Sequence, residues 1–119
     1  MTLAFVFLWH GLVPKLLFRH PDELELMRDA GLSASGAETA VMVIGVAEVA
    51  YALVLLLAWR VRALLLVATA AMVVITPGIV FGSPRFVPAA FNPVTLNLCV
   101  AVLGVIGWMA SGSRKDADG

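Results

Sequence analysis

Long apolar runs separated by short polar stretches make up most of the chain, and they predict membrane-spanning helices. Crossing the hydrocarbon of a bilayer takes roughly 20 mostly apolar residues in a helix. The runs cover about residues 2–18, 37–59, 63–81 and 92–109. The pattern predicts an all-α membrane protein, a bundle of four transmembrane helices that forms one domain over residues 1–111.

The first run is the shortest and is interrupted by His10, Pro14 and Lys15. It has no basic start and no small-residue cleavage site, both of which are typical of a signal peptide. We therefore expect a retained helix. Pro14 cannot donate a backbone hydrogen bond to the carbonyl of His10, so a kink with a free carbonyl is predicted there.

The polar stretch between the first two runs predicts a short helix over residues 21–30 that lies at the membrane surface. Pro21 suits a first helical position, and acidic residues follow it at the positive end of the helix dipole. Gly31 is a plausible stop. Ser35 and Glu38 then have the spacing of a capping box at the start of the second span.

The later runs carry their own local signals. Pro77 lies inside the third run and predicts a kink. Asn92 and Pro93 are typical of a helix start, with Asn as the N-cap and Pro in the first turn. Residues 112–119 are polar and predict a disordered tail.

Composition supports a membrane protein and excludes several other classes. The chain is 61% hydrophobic and 13% charged, whereas soluble domains are about half apolar and a quarter charged. The formal charge is zero, so nothing favours a nucleic-acid partner, and the lipid bilayer is the predicted surrounding. The single cysteine, Cys99, excludes an internal disulfide and a paired-cysteine redox site.

Four spans place both termini on the same side of the membrane. The eight basic residues divide equally between the two sides, so the positive-inside rule gives little direction. We expect cytoplasmic termini.

Glu48 requires an explanation because an ionisable residue in mid-membrane is costly unless it is paired, hydrated or protonated. His10 lies about halfway along its own run, so antiparallel packing predicts that it faces Glu48. Tyr51 follows one turn later, and Asn97 lies one turn inside the last span. These four residues predict either a proton or ligand site, or hydrogen bonds that lock the helices together. No catalytic residue and no metal site is predicted.

A second polar group, formed by Lys15, His20 and Glu23, lies where the first run ends. Such groups are commonly solvated helix ends whose long side chains reach the interface. The alternative is the mouth of a binding site. His20 and Glu23 stand three residues apart, but a metal usually needs three or four ligands.

Three stretches together resemble the DoxX-like family of small four-helix membrane proteins: WHGLVPKLLFRHPDELELMRDAGL, GVAEVAYALVLLL and FNPVTLNL. The resemblance implies a bacterial inner-membrane protein. It also implies association with redox systems, because the family's namesake is the membrane subunit of a thiosulfate:quinone oxidoreductase. The positions that match are His10, Lys15, His20, Glu23, Glu48, Asn92 and Asn97.

Three functions remain open at this point. The first is an accessory membrane subunit that binds a quinone near His10, Glu48 and Tyr51, while a soluble or membrane oxidoreductase partner supplies electrons. The second is a homodimeric, proton-coupled transporter of small molecules that uses Glu48. The third is a non-catalytic anchor for a soluble partner. The chain has no dinucleotide fingerprint, so we expect no enzyme activity from it alone.

Overall fold

The computed structural model describes residues 1–89 and 92–117, and for residues 113–117 it describes the backbone alone. The regular elements in these ranges are all helical, with 84% of residues in helices. They are α1 (Thr2–His10) continued by a π-helix (Gly11–Leu17), α2 (Pro21–Asp29), α3 (Ala34–Leu57), α4 (Ala63–Gly82), a 3₁₀ turn (Pro84–Phe86) and α5 (Pro93–Ala117). The all-helical prediction is confirmed.

The last helix is longer than the sequence pattern predicts. It continues beyond residue 109 to Ala117, so most of the predicted polar tail is helical and the expectation of disorder there is wrong. Adding a residue to an existing helix costs little compared with starting one. The last two residues of the tail, and Phe91 of the FNP motif, lie outside the described residues.

The chain divides into two compact units, residues 1–59 and 60–119. The first unit contains α1, the π-helix, α2 and α3, and the second contains α4, the 3₁₀ turn and α5. The single domain predicted from the sequence stays a prediction.

Among the described residues, three helices are long and apolar enough to cross a membrane: α3, α4 and α5 up to Gly112. A fourth span results if Thr2–Leu17 and Pro21–Asp29 count as one bent segment, with a 90° angle between its parts. Large apolar side chains on these helices are exposed, among them Leu57 at 85%, Val74 at 76% and Phe81 at 84%. An apolar surface of this kind fits lipid, so this is a membrane protein.

Small residues bring α1 and α3 close together in the first unit. A Cβ placed on Gly11 would lie 2.6 Å from the carbonyl oxygen of Gly45, and one placed on Gly45 would lie 3.0 Å from the oxygen of Gly11. Glycines at such positions allow membrane helices to pack backbone to backbone. Leu3, Ala4 and Phe7 on α1, and Ala37, Val41 and Ala52 on α3, are buried.

Pro14 lies inside the π-helix. Because proline has no N–H and its ring clashes with the carbonyl four residues earlier, it disturbs the regular hydrogen bonding of an α-helix. A wider turn accommodates it, and the Phe18 N–H donates to the oxygen of Val13, five residues back, at 3.0 Å. Arg19 then adopts a positive φ of 45°, where the chain turns towards α2.

The ends of α2 are defined by local hydrogen bonds. His20 is its N-cap, with Nδ1 accepting from the Asp22 N–H at 3.3 Å. At the other end Gly31 has a φ of 94°, and the Leu32 N–H donates to the oxygen of Met27. These are features of a Schellman motif, which explains why the helix stops where Gly31 predicts.

The start of α3 differs from the prediction. The N-cap is Ser33, whose Oγ accepts from the Gly36 N–H at 3.1 Å. The capping box of Ser35 and Glu38 is therefore wrong, because the helix begins at Ala34 and both residues already lie inside it. Two serines two residues apart offer alternative caps, and pattern alone does not choose between them.

In the second unit, α4 and α5 pack through a threonine and a glycine. The Thr69 hydroxyl lies 3.1 Å from the carbonyl oxygens of both Leu65 and Ala101. A Cβ on Gly104 would clash with that hydroxyl and with the Leu65 oxygen. The start of α5 has the predicted cap, since the Asn92 Oδ1 accepts from the Thr95 N–H at 2.7 Å and Pro93 is the first helical residue.

Candidate site: a buried lysine between two glutamates

The first unit contains a group of three charged residues on three helical elements: Lys15 in the π-helix, Glu23 in α2 and Glu48 in α3. Lys15 Nζ lies 3.1 Å from Glu23 Oε1 and 3.1 Å from Glu48 Oε2. The Lys15 side chain is 8% exposed, whereas those of Glu23 and Glu48 are 22% and 20% exposed. We call these three residues the ion cluster.

Lys15 reaches the cluster because the π-helix points it at α3. It follows Phe7 and Gly11 at four-residue intervals on the buried face of the first helix. Its Nζ also approaches the carbonyl oxygen of His10 at 3.5 Å. Pro14 cannot donate to this carbonyl, but a π-helix that begins at Gly11 pairs it with the backbone N–H five residues on, so the ammonium adds a second, longer contact.

Glu48 lies on α3, and the close contact at Gly11 fixes its position relative to the first helix. A Cβ on Gly11 would lie 2.9 Å from Glu48 Cβ, so any larger residue at position 11 would push this part of α3 away. Glu48 Oε2 is buried and makes no hydrogen bond of good geometry despite its ion pair with Lys15.

Glu23 belongs to a less buried element. No residue of α2 is fully buried, although Glu23, Leu24, Leu26 and Met27 form a half-buried face and α2 packs against α3. Glu23 lies in the first turn of α2, where the helix dipole favours a negative charge. Its ion pair with Lys15 ties this short helix to the other two elements.

The charges of the ion cluster do not balance. With every group ionised, one ammonium and two carboxylates give +1 − 2 = −1. A net charge is expensive away from water. The group types can donate hydrogen bonds from nitrogen, accept them at oxygen, and take up a proton on either carboxylate.

The main contact of Glu48 in the structure differs from the one predicted from the sequence. His10 and Glu48 were expected at similar depth, and the residue after His10 does contact Glu48. The ionic partner of Glu48 is nevertheless Lys15, and His10 contributes its backbone oxygen to Lys15. Tyr51 packs edge-on against Phe7, with ring centroids 4.9 Å apart.

Asn97 lies in the second unit, where its Nδ2 donates to the Thr76 hydroxyl at 3.2 Å. Thr76 in turn donates to the oxygen of Met72, one of the carbonyls near Pro77. Asn97 thus joins α5 to α4, as polar residues between membrane helices commonly do. A pocket shared by Asn97 with His10 and Glu48 stays a prediction.

The group predicted at the end of the first run separates in the structure. Lys15 and Glu23 belong to the buried ion cluster. His20 is more than half exposed and contacts Asp22. Within residues 1–89 and 92–112, no group of three or more His, Cys, Asp or Glu side chains could hold a metal ion.

The central position of Lys15 was missed by the sequence reasoning, which placed it at the interface. A signal for it exists. Phe7, Gly11 and Lys15 share one helix face by their spacing, and Gly45 and Glu48 share another. On each face a glycine is followed one turn later by a charged residue, and the two charges are opposite. This pattern indicates a buried ion pair as well as close packing.

The comparisons with known proteins support the family resemblance. The model of the DoxX-like family matches residues 4–105, which includes all three members of the ion cluster. No curated protein and no solved structure matches the chain.

Proposed function

Because the chain belongs to the DoxX-like family, we propose that it is an accessory membrane subunit of a redox system that binds a quinone or a similar small molecule at the ion cluster. The observation that carries the proposal is the buried ammonium of Lys15 between Glu23 and Glu48. It supplies a hydrogen-bond donor and two proton acceptors.

These group types suit a quinone head. A quinone carbonyl accepts a hydrogen bond, and reduction to the hydroquinone consumes two electrons and two protons. Lys15 is the donor, and the carboxyl groups of Glu23 and Glu48 can pass protons. The chain supplies no electrons, so an oxidoreductase partner must do so.

The bound head must displace one contact of Lys15, because its ammonium already faces two carboxylates and a carbonyl oxygen. Glu23 is the member to be displaced. It lies on the short helix α2, which has no fully buried residue, whereas Glu48 is held behind the Gly11–Gly45 contact.

The topology belongs to the same proposal. The first helix and its π-helical continuation form a fourth span, and α2 lies at the membrane surface beyond the 90° bend. Both termini then lie on the same side, which we take to be the cytoplasmic side of a bacterial inner membrane.

Binding of a short-chain ubiquinone to the protein in lipid nanodiscs, followed by native mass spectrometry, tests the function. We expect one quinone per chain in the wild type and at least a tenfold weaker affinity in Lys15→Met. Lys115→Met is the matched control, since Lys15 and Lys115 are the only lysines, and it should bind as the wild type does. Equal binding by both variants, or no binding by the wild type, contradicts the proposal.

One observation favours a second candidate, a proton-coupled transporter that works as a homodimer. Glu48 Oε2 is buried beside the ammonium of Lys15, and a buried carboxyl group within a membrane helix suits the uptake and release of a proton. Proton flux into proteoliposomes, followed by a pH-sensitive dye, should then be abolished in Glu48→Gln and retained in Glu38→Gln, because Glu38 is exposed. If neither quinone binding nor proton flux occurs, the non-catalytic anchor is the remaining candidate.

A further inference from the structure

We infer that α2 is a movable cover over the ammonium of Lys15, and that Glu23 is the side chain that holds this cover closed. A small molecule then reaches Lys15 from the membrane surface when the cover swings aside. The inference rests on the proposed function for the class of that molecule, a quinone or a similar compound. The motion itself follows from the geometry of the first unit.

The cover is closed in the structure. The Lys15 side chain is 8% exposed, and Glu23 reaches it from α2 with 3.1 Å between Nζ and Oε1. Glu48 reaches the same nitrogen from α3, also at 3.1 Å. A molecule that accepts a hydrogen bond from Lys15 has to take the place of one carboxylate, and α2 is the helix without a fully buried residue.

The cover can move as one body because its end caps are local. At its start, the Asp22 N–H donates to Nδ1 of His20 at 3.3 Å. At its end, the Leu32 N–H donates to the oxygen of Met27 at 3.2 Å. These hydrogen bonds close within residues 20–32, so a turn of the chain on either side of this range leaves the caps of the helix intact.

The residues that flank the cover suit a hinge. Hinges are commonly a few residues at the ends of elements that absorb a change of φ and ψ. Arg19 has a φ of 45°, a conformation that few residues other than glycine adopt, and its strain is relieved when the chain leaves it. The His20 N–H donates to the Pro14 oxygen at 2.7 Å, and a turn at Arg19 exchanges this hydrogen bond for one to water. On the other side, Ser33 lies outside both helices as the N-cap of α3.

The apolar side chains of the cover do not fix it in place. Leu24, Leu26 and Met27 are half-buried, and a short helix at the membrane surface can place such side chains among lipid. They therefore exchange protein for lipid when the cover swings aside. The ion pair of Glu23 with Lys15 has no such replacement until a ligand takes the place of the carboxylate, so Glu23 decides how often the cover opens.

Distance measurement by double electron–electron resonance, on the protein in lipid nanodiscs, tests the inference. Spin labels are attached at Arg28→Cys on α2 and at Leu57→Cys at the far end of α3, both exposed positions of the first unit. Cys99→Ala removes the single native cysteine. Since α3 has 24 residues and is about 36 Å long, the two labels suit the method. The ligand-free chain should show one main distance, that of the closed cover.

Loss of the Glu23 carboxylate should open the cover without any ligand. We expect Glu23→Gln to raise the population at a second distance at least threefold over the otherwise unchanged chain. Glu23→Asp keeps the charge but shortens its reach, so a smaller increase is expected, and this variant decides if Glu23→Gln fails to fold. Glu25→Gln is the matched control on the exposed side of α2 and should leave the distances unchanged.

Short-chain ubiquinone should shift the otherwise unchanged chain towards the same second distance. Distances that stay unchanged in the Glu23 variants overturn the inference, and so does a bound quinone that leaves the cover closed. A second distance in the Glu23 variants, together with no quinone binding, supports the movable cover while it removes the proposed function.

Discussion

At the scale of single residues, Lys15 is the side chain on which the first unit depends. It is buried, it contacts acidic groups from two other elements, and its ammonium lies 3.5 Å from the carbonyl oxygen of His10. Buried ion pairs contribute little net stability compared with apolar packing, but removal of one partner is costly because the other charge stays behind. The loss of stability should therefore be large when Lys15 alone is replaced and small when Glu23 and Glu48 are replaced with it.

We predict that Lys15→Met destabilises the protein by roughly 3–5 kcal/mol at neutral pH, since two carboxylates remain without a cation. Denaturant titration in detergent micelles measures the change. The triple variant Lys15→Met, Glu23→Leu, Glu48→Leu should recover most of the loss, because it leaves no charge in the cluster. A triple variant as unstable as Lys15→Met would show that the lysine stabilises by some other contact.

The sequence predicted that Glu48 needs a partner but not which one. Helix period and antiparallel packing predict that His10 faces Glu48, whereas the ionic partner of Glu48 in the structure is Lys15. The partner is Lys15 because the π-helix turns its long side chain inwards, and the pattern of residue types does not show a π-helix in advance. Pro14 indicates only that the regular α-helix is disturbed there.

At the scale of elements, two glycines and one proline determine how the first unit packs. Gly11, the first residue of the π-helix, and Gly45 allow the first helix and α3 to approach, and the π-helix around Pro14 directs the following residues towards α3. Helix ends were predictable where one residue dominates, as at Gly31 and Asn92. They were not predictable at α3, where Ser33 rather than Ser35 is the cap.

We predict that Gly11→Ala and Gly45→Ala each destabilise the protein by about 1–3 kcal/mol, because the added methyl meets backbone atoms and forces the helices apart. Gly78→Ala is the matched control. Nothing lies within 4 Å of a Cβ at that position in α4, so the better helix propensity of alanine should stabilise by up to about 1 kcal/mol. Denaturant titration of the three variants provides the comparison, and equal effects at positions 11 and 78 would contradict the packing described.

At the scale of the whole molecule, the number of membrane spans is the property that the apolar pattern leaves open and that experiment can test. Among the described residues, three helices qualify as membrane spans by length and hydropathy. The first helix and its π-helical continuation qualify only when they are counted together with α2 as one bent segment. The pattern of apolar runs predicted these helices because a lipid environment makes almost every face apolar, and the same uniformity hides which face packs inwards.

Reporter fusions at the two termini distinguish four spans from three. We predict that an enzyme reporter active only outside the cytoplasm is inactive at both ends, while a cytoplasmic fluorescent reporter is active at both. Fusions after residue 60, on the polar turn between α3 and α4, should also report the cytoplasmic side. Opposite results at the two termini would mean that the first helix does not cross the membrane.

The measurement that tests the central claim most directly is solid-state NMR of the ion cluster in lipid. A Lys115→Arg variant with isotope-labelled lysine leaves Lys15 as the single ammonium signal, and labelled glutamate reveals its neighbours through dipolar coupling. We predict coupling of Lys15 Nζ to two glutamate carboxyl carbons, one lost in Glu23→Ala and the other in Glu48→Ala. Coupling to neither glutamate, or coupling that both substitutions leave unchanged, would contradict the ion cluster.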